Sequence, residues 1–492
     1  MTERSSVINL WSAERFSGRR KIYSSYKEVN KDNVVEILSN ALAVHRVNCS
    51  EIEYLHRFYR GIQDIRFKEK TVRPEINNKI TVNIANEIVT FKTAFFIGTP
   101  MQYVSAGGDD KVSESVRKLN EFMRAEDKDS KDKEICDWFH ICGVAPRLVL
   151  PDPKSEENEC PFVIYTLDPQ EAFVIYHSGI GKRPLAGVII QYDEEGKEYY
   201  CVYSQNEYFE VKDEKVTKAD THKLNGIPLV EYLNNESRMG AFEIVLPSLN
   251  AINVLESNRV DDIEQFVQSI VVFENCEIDE EAAKQLTEQL GLMISSDPSK
   301  PAKVYRVDGE LSQSGVQTAK DDLYDSILTI CGMPNRNGGS STSDTGAAVA
   351  MRDGWSSAES RASDTEKMFN RADKQFLKIV LQICKETGAL NLRLADIKQE
   401  HTRNNLSNMQ SRMQVLCEGL NNPKIHPKFP WLISGMPNSE EWYRVSQEWY
   451  EEQQQKQAEK ELEAKGREAD KNTTSERTEE KQTQNNELEK AD

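Results

Sequence analysis

Residues 239–331 contain two amphipathic helical stretches on either side of a short strand-rich insert, and such a hairpin must bury one stripe of each helix against the rest of the molecule. In the first stretch, residues 240–268, apolar side chains recur at Val245, Leu249, Ile252, Val260, Ile263 and Val267, a helical period with one missed turn at Glu256. In the second, residues 312–331, the stripe is Val316, Ala319, Leu323, Ile327 and Ile330, while Thr318, Asp322, Asp325 and Thr329 share the opposite, acidic face. The insert, residues 269–311, opens on the β-branched run from Ile270 to Phe273. It passes a helical stretch near Glu280 to Leu290 and returns through Lys303 to Val307. The pattern predicts a small module at the far end of a helical hairpin.

The rest of the chain alternates helical and extended periods around that hairpin. Residues 1–30 are a polar arm with isolated aromatics, Trp11, Phe16, Tyr23 and Tyr26. Two helices are predicted over 33–59, one ending near Val47 and one opening at Ser50, where Glu53 would complete a capping box. A helix from Ile84 to Phe96 is closed by Gly98, Thr99 and Pro100, and residues 111–139 supply one or two more. Residues 145–233 switch to an extended pattern, predicting one antiparallel meander with strands near 147–150, 162–167, 172–176, 185–192, 199–203 and 208–211. After the hairpin, residues 332–346 are rich in Gly, Ser and Asn. The next helix runs from Ala347 to about Thr387, roughly 60 Å if unbroken, with a kink expected at Gly354. Its first half is small (Ala347, Ala348, Ala350, Ala358, Ala362) and its second carries Phe376, Ile379, Val380, Ile383 and Cys384. Residues 395–450 predict a helix over 406–420, a proline-punctuated link and a further helix from about Ser439. Residues 451–492, with 13 acidic and 8 basic side chains, read as a charged helix fraying into disorder.

A formal net charge of -19 excludes a protein that grips nucleic acid through a large basic surface. The nine cysteines have no repeating spacing, which predicts reduced thiols in a cytosolic compartment. The first twenty residues are polar and basic, and no apolar run approaches the roughly 18–20 residues a membrane span needs, so a soluble intracellular product is expected. Cys136, His140 and Cys142 lack a fourth ligand and neighbour Trp138, Phe139 and Ile141, which predicts core packing, not metal. The glycine-bearing run 338–346 has no lysine where a phosphate-binding loop needs one. The pairs Asp261–Asp262 and Asp321–Asp322 would serve a two-metal site only if they converged, and adjacent helical residues point about 100° apart. The histidines fall in no triad or metal spacing. No catalytic residue, metal or cofactor is expected. What remains is geometric: an acidic helix face, a polar loop bearing Arg336, then a long helix with a small-residue face. In a ring that face would line a hole and the loops would form its constriction. An acidic lining repels phosphates and lets DNA pass without sticking.

Motifs in order over about residues 50–450 carry a resemblance. They are Phe58-Tyr59-Arg60-Gly61-Ile62-Gln63, the run from Asn78 to Val89, Gly98-Thr99-Pro100, Leu167-Asp168-Pro169 with Phe173 to Tyr176, Phe242-Glu243, Asp261 to Glu264, and Ile270-Val271-Val272. With these the chain resembles the portal proteins of tailed bacteriophages, in the siphophage-type branch found in phages of Gram-positive bacteria. The resemblance implies an α+β, predominantly helical fold of wing, stem, clip and crown, with a β meander in the wing, assembled as a homo-oligomeric ring of about 12 chains. It implies an arm (1–30), a wing (31–239, meander 145–233), stem helices (240–268 and 312–331), a clip (269–311), a tunnel loop (332–346), a long helix bridging wing and crown (347–394), a crown (395–450) and a charged tail (451–492). The expected function is a capsid-vertex channel for double-stranded DNA packaging and ejection, non-enzymatic. Its expected partners are the terminase large subunit, head-completion adaptors, and major capsid and scaffolding proteins, with no membrane. Asn335, Arg336, Asn337, Ser340, Ser341 and Ser343 are expected to face DNA from the loop, and Asp322 and Asp325 to line the channel. The rival readings are a capsid or scaffolding protein without a conduit and a metal-dependent nuclease.

Overall fold

The two helices expected over residues 33–59 are one, α1 (Val34–Tyr59). Ser50 starts no helix; its hydroxyl donates back to the carbonyl of Val47 at 3.1 Å, a bond that mid-helix serines make. The buried stripe Ile37, Leu38, Ala41, Ile52, Leu55 and Phe58 runs through the expected break. The computed structural model describes residues 16–106, 110–156, 159–267, 270–274, 303–307, 313–335, 354–401, 403, 406–434, 439 and 442–460. It is an α+β chain in which helix predominates.

The extended region is not one meander but two sheets. Five strands, Ala172–His177 (β5), Pro184–Tyr192 (β6), Glu198–Tyr203 (β7), Glu207–Lys212 (β8) and Lys215–Thr221 (β9), run antiparallel in order, and Ile22–Ser24 (β1) adds a parallel edge beside β5. The second sheet sets Val144–Pro151 (β3) between Phe162–Thr166 (β4) and Leu229–Leu233 (β10). Six successive residues of β3 are buried, so both of its faces are covered, which an outer strand of a solvated meander cannot achieve. The polar edge strand β9 escapes an apolar pattern search because lysines on an exposed edge oppose further pairing. Gln102–Ser105 (β2) pairs with Ile397–Glu400 (β13) across nearly the whole unit.

Among the described residues, the unit of residues 1–403 also contains helices α2 (Ile84–Ile97), α3 (Asp110–Ala125), α4 (Lys128–Cys142), the hairpin helices α5 (Leu246–Val267) and α6 (Gln313–Cys331), and α7 (Trp355–Glu386). One core joins α3, α4 and α7 to β3, β4 and β10; a second joins α1 and α2 to the hairpin; a third lies between α1 and the six-stranded sheet. Helix α7 begins at Trp355, after Gly354, where a kink was expected. Its middle is held by a buried, charge-balanced quartet: Arg147, Lys128, Asp132 and Asp373. Arg147 Nη2 and Lys128 Nζ each lie 2.6 Å from Asp132, and Lys128 Nζ lies 3.6 Å from Asp373. Asp373 also accepts from Tyr103 (2.8 Å), Tyr232 (3.1 Å) and Gln399 (2.7 Å). With every charge paired and bonded, the cluster avoids the cost of an isolated buried ion.

The unit of residues 404–492 contains α8 (Leu406–Leu420), where a helix was expected, the short α9 (Lys428–Ile433) and a helix over 442–460. Among the described residues no helix is long and apolar enough to cross a membrane.

Candidate functional site

The first hairpin helix, α5 (Leu246–Val267), follows a 3-10 turn at Glu243–Val245. Val245, Leu249 and Ile252 are buried as the periodicity predicts, but the stripe then changes character: Ile263 is 44% exposed and the buried line continues as Asn253, Ser257 and Asp261. These three are spaced by four residues and accept the backbone N–H groups of Val82 (2.8 Å), Ile80 (3.0 Å) and Asn78 (2.7 Å), spaced by two. Four residues of helix rise about 6.0 Å and two of extended chain about 6.6 Å, so the two repeats stay in step over three bonds. The extended segment 78–82 is thus zipped along a helix and not along a sheet. Asp261 also receives Asn78 Nδ2 (2.9 Å), Lys70 Nζ (2.8 Å) and Lys68 Nζ (3.2 Å). Burial works to raise its pKa, but the bonds from Lys70, Asn78 and Lys68 outweigh it and hold the carboxyl well below the usual carboxylate range. Asp262 is exposed. The acidic pair therefore diverges, one carboxylate committed to internal donors and the other in solvent, which removes it from metal-dependent nuclease chemistry.

The second hairpin helix is α6 (Gln313–Cys331). Its inward face is Ile327, Leu328 and Cys331 with half-buried Leu323 and Tyr324, whereas Ile330 is 43% exposed, so the real stripe is rotated from the expected one. The rotation brings Lys320 Nζ to Glu256 at 2.6 Å and Gln317 Oε1 to Arg259 Nη1 at 2.8 Å, which accounts for the missed apolar turn at Glu256. Thr318, Asp322, Asp325 and Thr329 are exposed on the outer face. Both threonine hydroxyls turn back on their own helix, to Ser314 O (3.0 Å) and Asp325 O (2.9 Å), leaving the carboxylates as the outward polar groups. At the hairpin's far end β11 (Ile270–Glu274) pairs antiparallel with β12 (Lys303–Val307), as the insert predicts; the helix expected near 280–290 lies outside the described residues.

The loop after α6 leaves and returns at one point. A Cβ on Gly354 would stand 3.5 Å from Met333 O and 3.6 Å from Pro334 Cα, so the flanks of segment 336–353 meet. Gly332 has φ +68°, and a Cβ there would come within 2.3 Å of Arg361 Cδ; glycine lets that arginine lie across the end of α6. Trp355 packs with tilted rings against Phe91 and Phe95, each centroid 6.0 Å away, joining α2 to the first turn of α7. Burial pushes the Cys331 thiol up to about 11, while the positive charges of Lys92 and Arg361 pull the other way. Of the residues expected to face DNA, Asn335 donates from Nδ2 to Asp325 at 3.0 Å, which joins the loop to the acidic face. Arg336, Asn337, Ser340, Ser341 and Ser343 lie outside the described residues.

Cys136, His140 and Cys142 pack in the core. His140 Nδ1 meets Thr93 Oγ1 at 3.0 Å, and burial, with Lys92 nearby, holds the imidazole well below its ordinary value. Burial pushes the Cys142 thiol up to about 12. The residues that sequence reading passed over are Asn253, Ser257 and Lys92. The first two had a signal: a polar line at i, i+4 continuing to Asp261 where the apolar stripe should run.

Residues 39–465 match a family of phage portal proteins described as SPP1 Gp6-like. No curated protein matches the chain. Among solved structures, the neck of an empty GTA particle, determined with C6 symmetry, is similar at a TM-score of 0.45 and 9% identity, covering 79% of this chain and 94% of that chain.

Proposed function

Because the chain belongs to the SPP1 Gp6-like phage portal protein family, matched over residues 39–465, we propose that it forms a closed ring at one capsid vertex through which double-stranded DNA enters and leaves. The family is structural, and the chain acts as a connector that hydrolyses nothing itself. Copies related by one rotation close into a ring of about twelve. Helices α5 and α6 are its stem, residues 269–311 its clip, 332–346 its tunnel loop, 31–239 its wing and 395–450 its crown. The clip docks the terminase large subunit during packaging and head-completion adaptors afterwards, and the wing meets capsid and scaffolding subunits during assembly in the host cytoplasm.

The family match carries this reading, and the hairpin's chemistry supports it. Asp322 and Asp325 present an outward acidic face that repels phosphate and lets a duplex slide. Polar loop residues Asn335, Arg336, Asn337, Ser340, Ser341 and Ser343 then touch DNA where the passage narrows. Negative-stain imaging with native mass spectrometry of the purified chain tests the ring: a ring with a central hole is expected, and a shell or a persistent monomer overturns the reading. Deleting residues 337–343 should leave assembly intact and impair DNA packaging or retention; unchanged packaging removes the loop from the mechanism.

A further inference from the structure

Segment 61–79, which runs from the end of α1 along α5, turns two large apolar side chains into solvent: Phe67 is 63% exposed and Val72 74%. Neither is needed to hold the segment down. Ile65 and Ile76 are buried, Asp64 accepts from Tyr54 (2.8 Å) and Asn250 (3.1 Å), Lys68 donates to Asn258 (2.8 Å), and Lys70 donates to Asp261 (2.8 Å) and to the Ile76 carbonyl (3.0 Å). A segment so fixed presents Phe67 and Val72 as rigid anchors, which is what a protein interface needs at its centre. Val254, 43% exposed, stands on α5 between Asn250 and Asn258 and so beside the 3-10 turn that carries Phe67. The charge around these anchors runs against that of the whole chain. Residues 57–79 hold seven cations and three acids in a protein of net charge -19, with Arg57 5.9 Å from the Phe67 ring centroid and Arg66 and Lys79 exposed.

The opposite side of the hairpin is the complement of this surface. Asn253, Ser257 and Asp261 face the segment, whereas Glu256 and Arg259 face α6, about 130° round α5 at about 100° per residue. On α6 itself Ala319, Ser326 and Ile330 are exposed along one flank, turned about 90° from the acidic line of Thr318, Asp322, Asp325 and Thr329. One side of the hairpin is thus apolar with cations at its rim, and the other is apolar with carboxylates at its rim. We propose that the Phe67–Val72–Val254 surface of one copy docks on the Ala319–Ser326–Ile330 flank of α6 in the next copy, an inference that rests on the portal reading. Copies joined through two different faces can close into a ring, while a self-complementary face pairs two copies. The apolar side chains exclude water at the centre of the contact, and Arg66 and Lys79 meet the acidic line at its near margin, Asp322. Asp325, farther round α6, keeps its place on the channel side.

The test is assembly of the full chain, read by native mass spectrometry and sedimentation velocity. Phe67→Ser with Val72→Ser should raise the concentration needed for rings at least about tenfold. The thermal midpoint of the unassembled chain should stay unchanged, because both side chains are already in water. Ile330→Ser should act in the same way from the other side, whereas Ile180→Ser, at a fully exposed position between β5 and β6, should change nothing. Arg66→Glu with Lys79→Glu should also weaken rings, by an amount that shrinks as salt rises. An equimolar mixture of the segment variant and the α6 variant should give heterodimers that neither forms alone, since one intact junction is left between them and no second one. Rings at the parent concentration in both the serine and the glutamate variants of the segment overturn the proposal, and so does a mixture without heterodimers. A parent chain that forms no ring defeats the portal reading instead.

Discussion

Helices α7 and α5 are both gripped near mid-length by buried polar side chains, yet the two grips are made differently. At α7, Asp373 joins a quartet with two full charges of each sign, and its partners come from α4, β3, β10, β2 and β13. At α5, one full negative charge, Asp261, ends a row of otherwise neutral acceptors, and the row's donors are backbone N–H groups of one short segment. The quartet fixes position, because five elements meet at it and none can move without breaking an ion pair or a hydrogen bond to a buried charge. The row fixes register: a one-turn slip of α5 would set Leu249 against a backbone N–H that needs an acceptor. Charge clusters thus hold the body of this molecule together, while repeat matching locates the hairpin.

The comparison can be broken most strongly at the quartet. Arg147→Met strands Asp132 and Asp373 with Lys128 alone and should cost about 3–5 kcal/mol, read as a lower urea midpoint or loss of folded chain. Asp261→Ala should cost less, about 2–3 kcal/mol, from the unpaired amide of Asn78 and two stranded ammoniums. Its signature is faster hydrogen exchange over 68–82 with protection of 355–386 retained; loosening of both would show that the two anchors are one. Ser257→Ala removes a single neutral acceptor and should cost about 1–2 kcal/mol, with the Ile80 amide exchanging faster than its neighbours.

Acid separates the two grips by pH. His401 lies against Phe96 and Phe369 near α7, and burial lowers its imidazole to about 4. A depressed folded value means the contribution is present above the unfolded histidine value of about 6.5 and is lost as pH falls toward about 4. Asp261, also depressed, contributes above the ordinary aspartate value of about 3.9 and loses that contribution only at lower pH. Lowering pH from 7 to 4.5 should therefore reduce the unfolding midpoint through the buried histidines His401 and His140 before Asp261 is protonated, and His401→Gln should flatten part of that slope. An equal slope in the variant would place the acid sensitivity elsewhere.

Local periodicity made the hairpin, the strand pair of its insert, α2, α8 and the second half of α7 legible, because each element's own apolar spacing reports its burial. It misread what is set between distant segments. Helix α1 was cut at Ser50, since a capping pattern and a mid-helix serine bonded to its own turn share the same letters. The single meander became two sheets because strand order depends on β10 returning to β3, some eighty residues away. On α6, Ile330 belonged to the expected stripe, but pairing of Lys320 with Glu256 turned the helix. At the candidate site, the exposed acidic face followed from helix geometry, whereas the laying of Arg361 over Gly332 could not be read from sequence, because it depends on how the start of α7 returns to the end of α6.

The meeting of Met333 and Gly354 has an evolutionary consequence. A segment whose two ends are pinned at one place behaves as a replaceable cassette: doubling its length costs only about 0.6 kcal/mol in closure entropy, and the framework beneath is not asked to readjust. Residues 336–353 can therefore change in length and composition while Gly332, Gly354 and the aromatic cluster around Trp355 stay as they are.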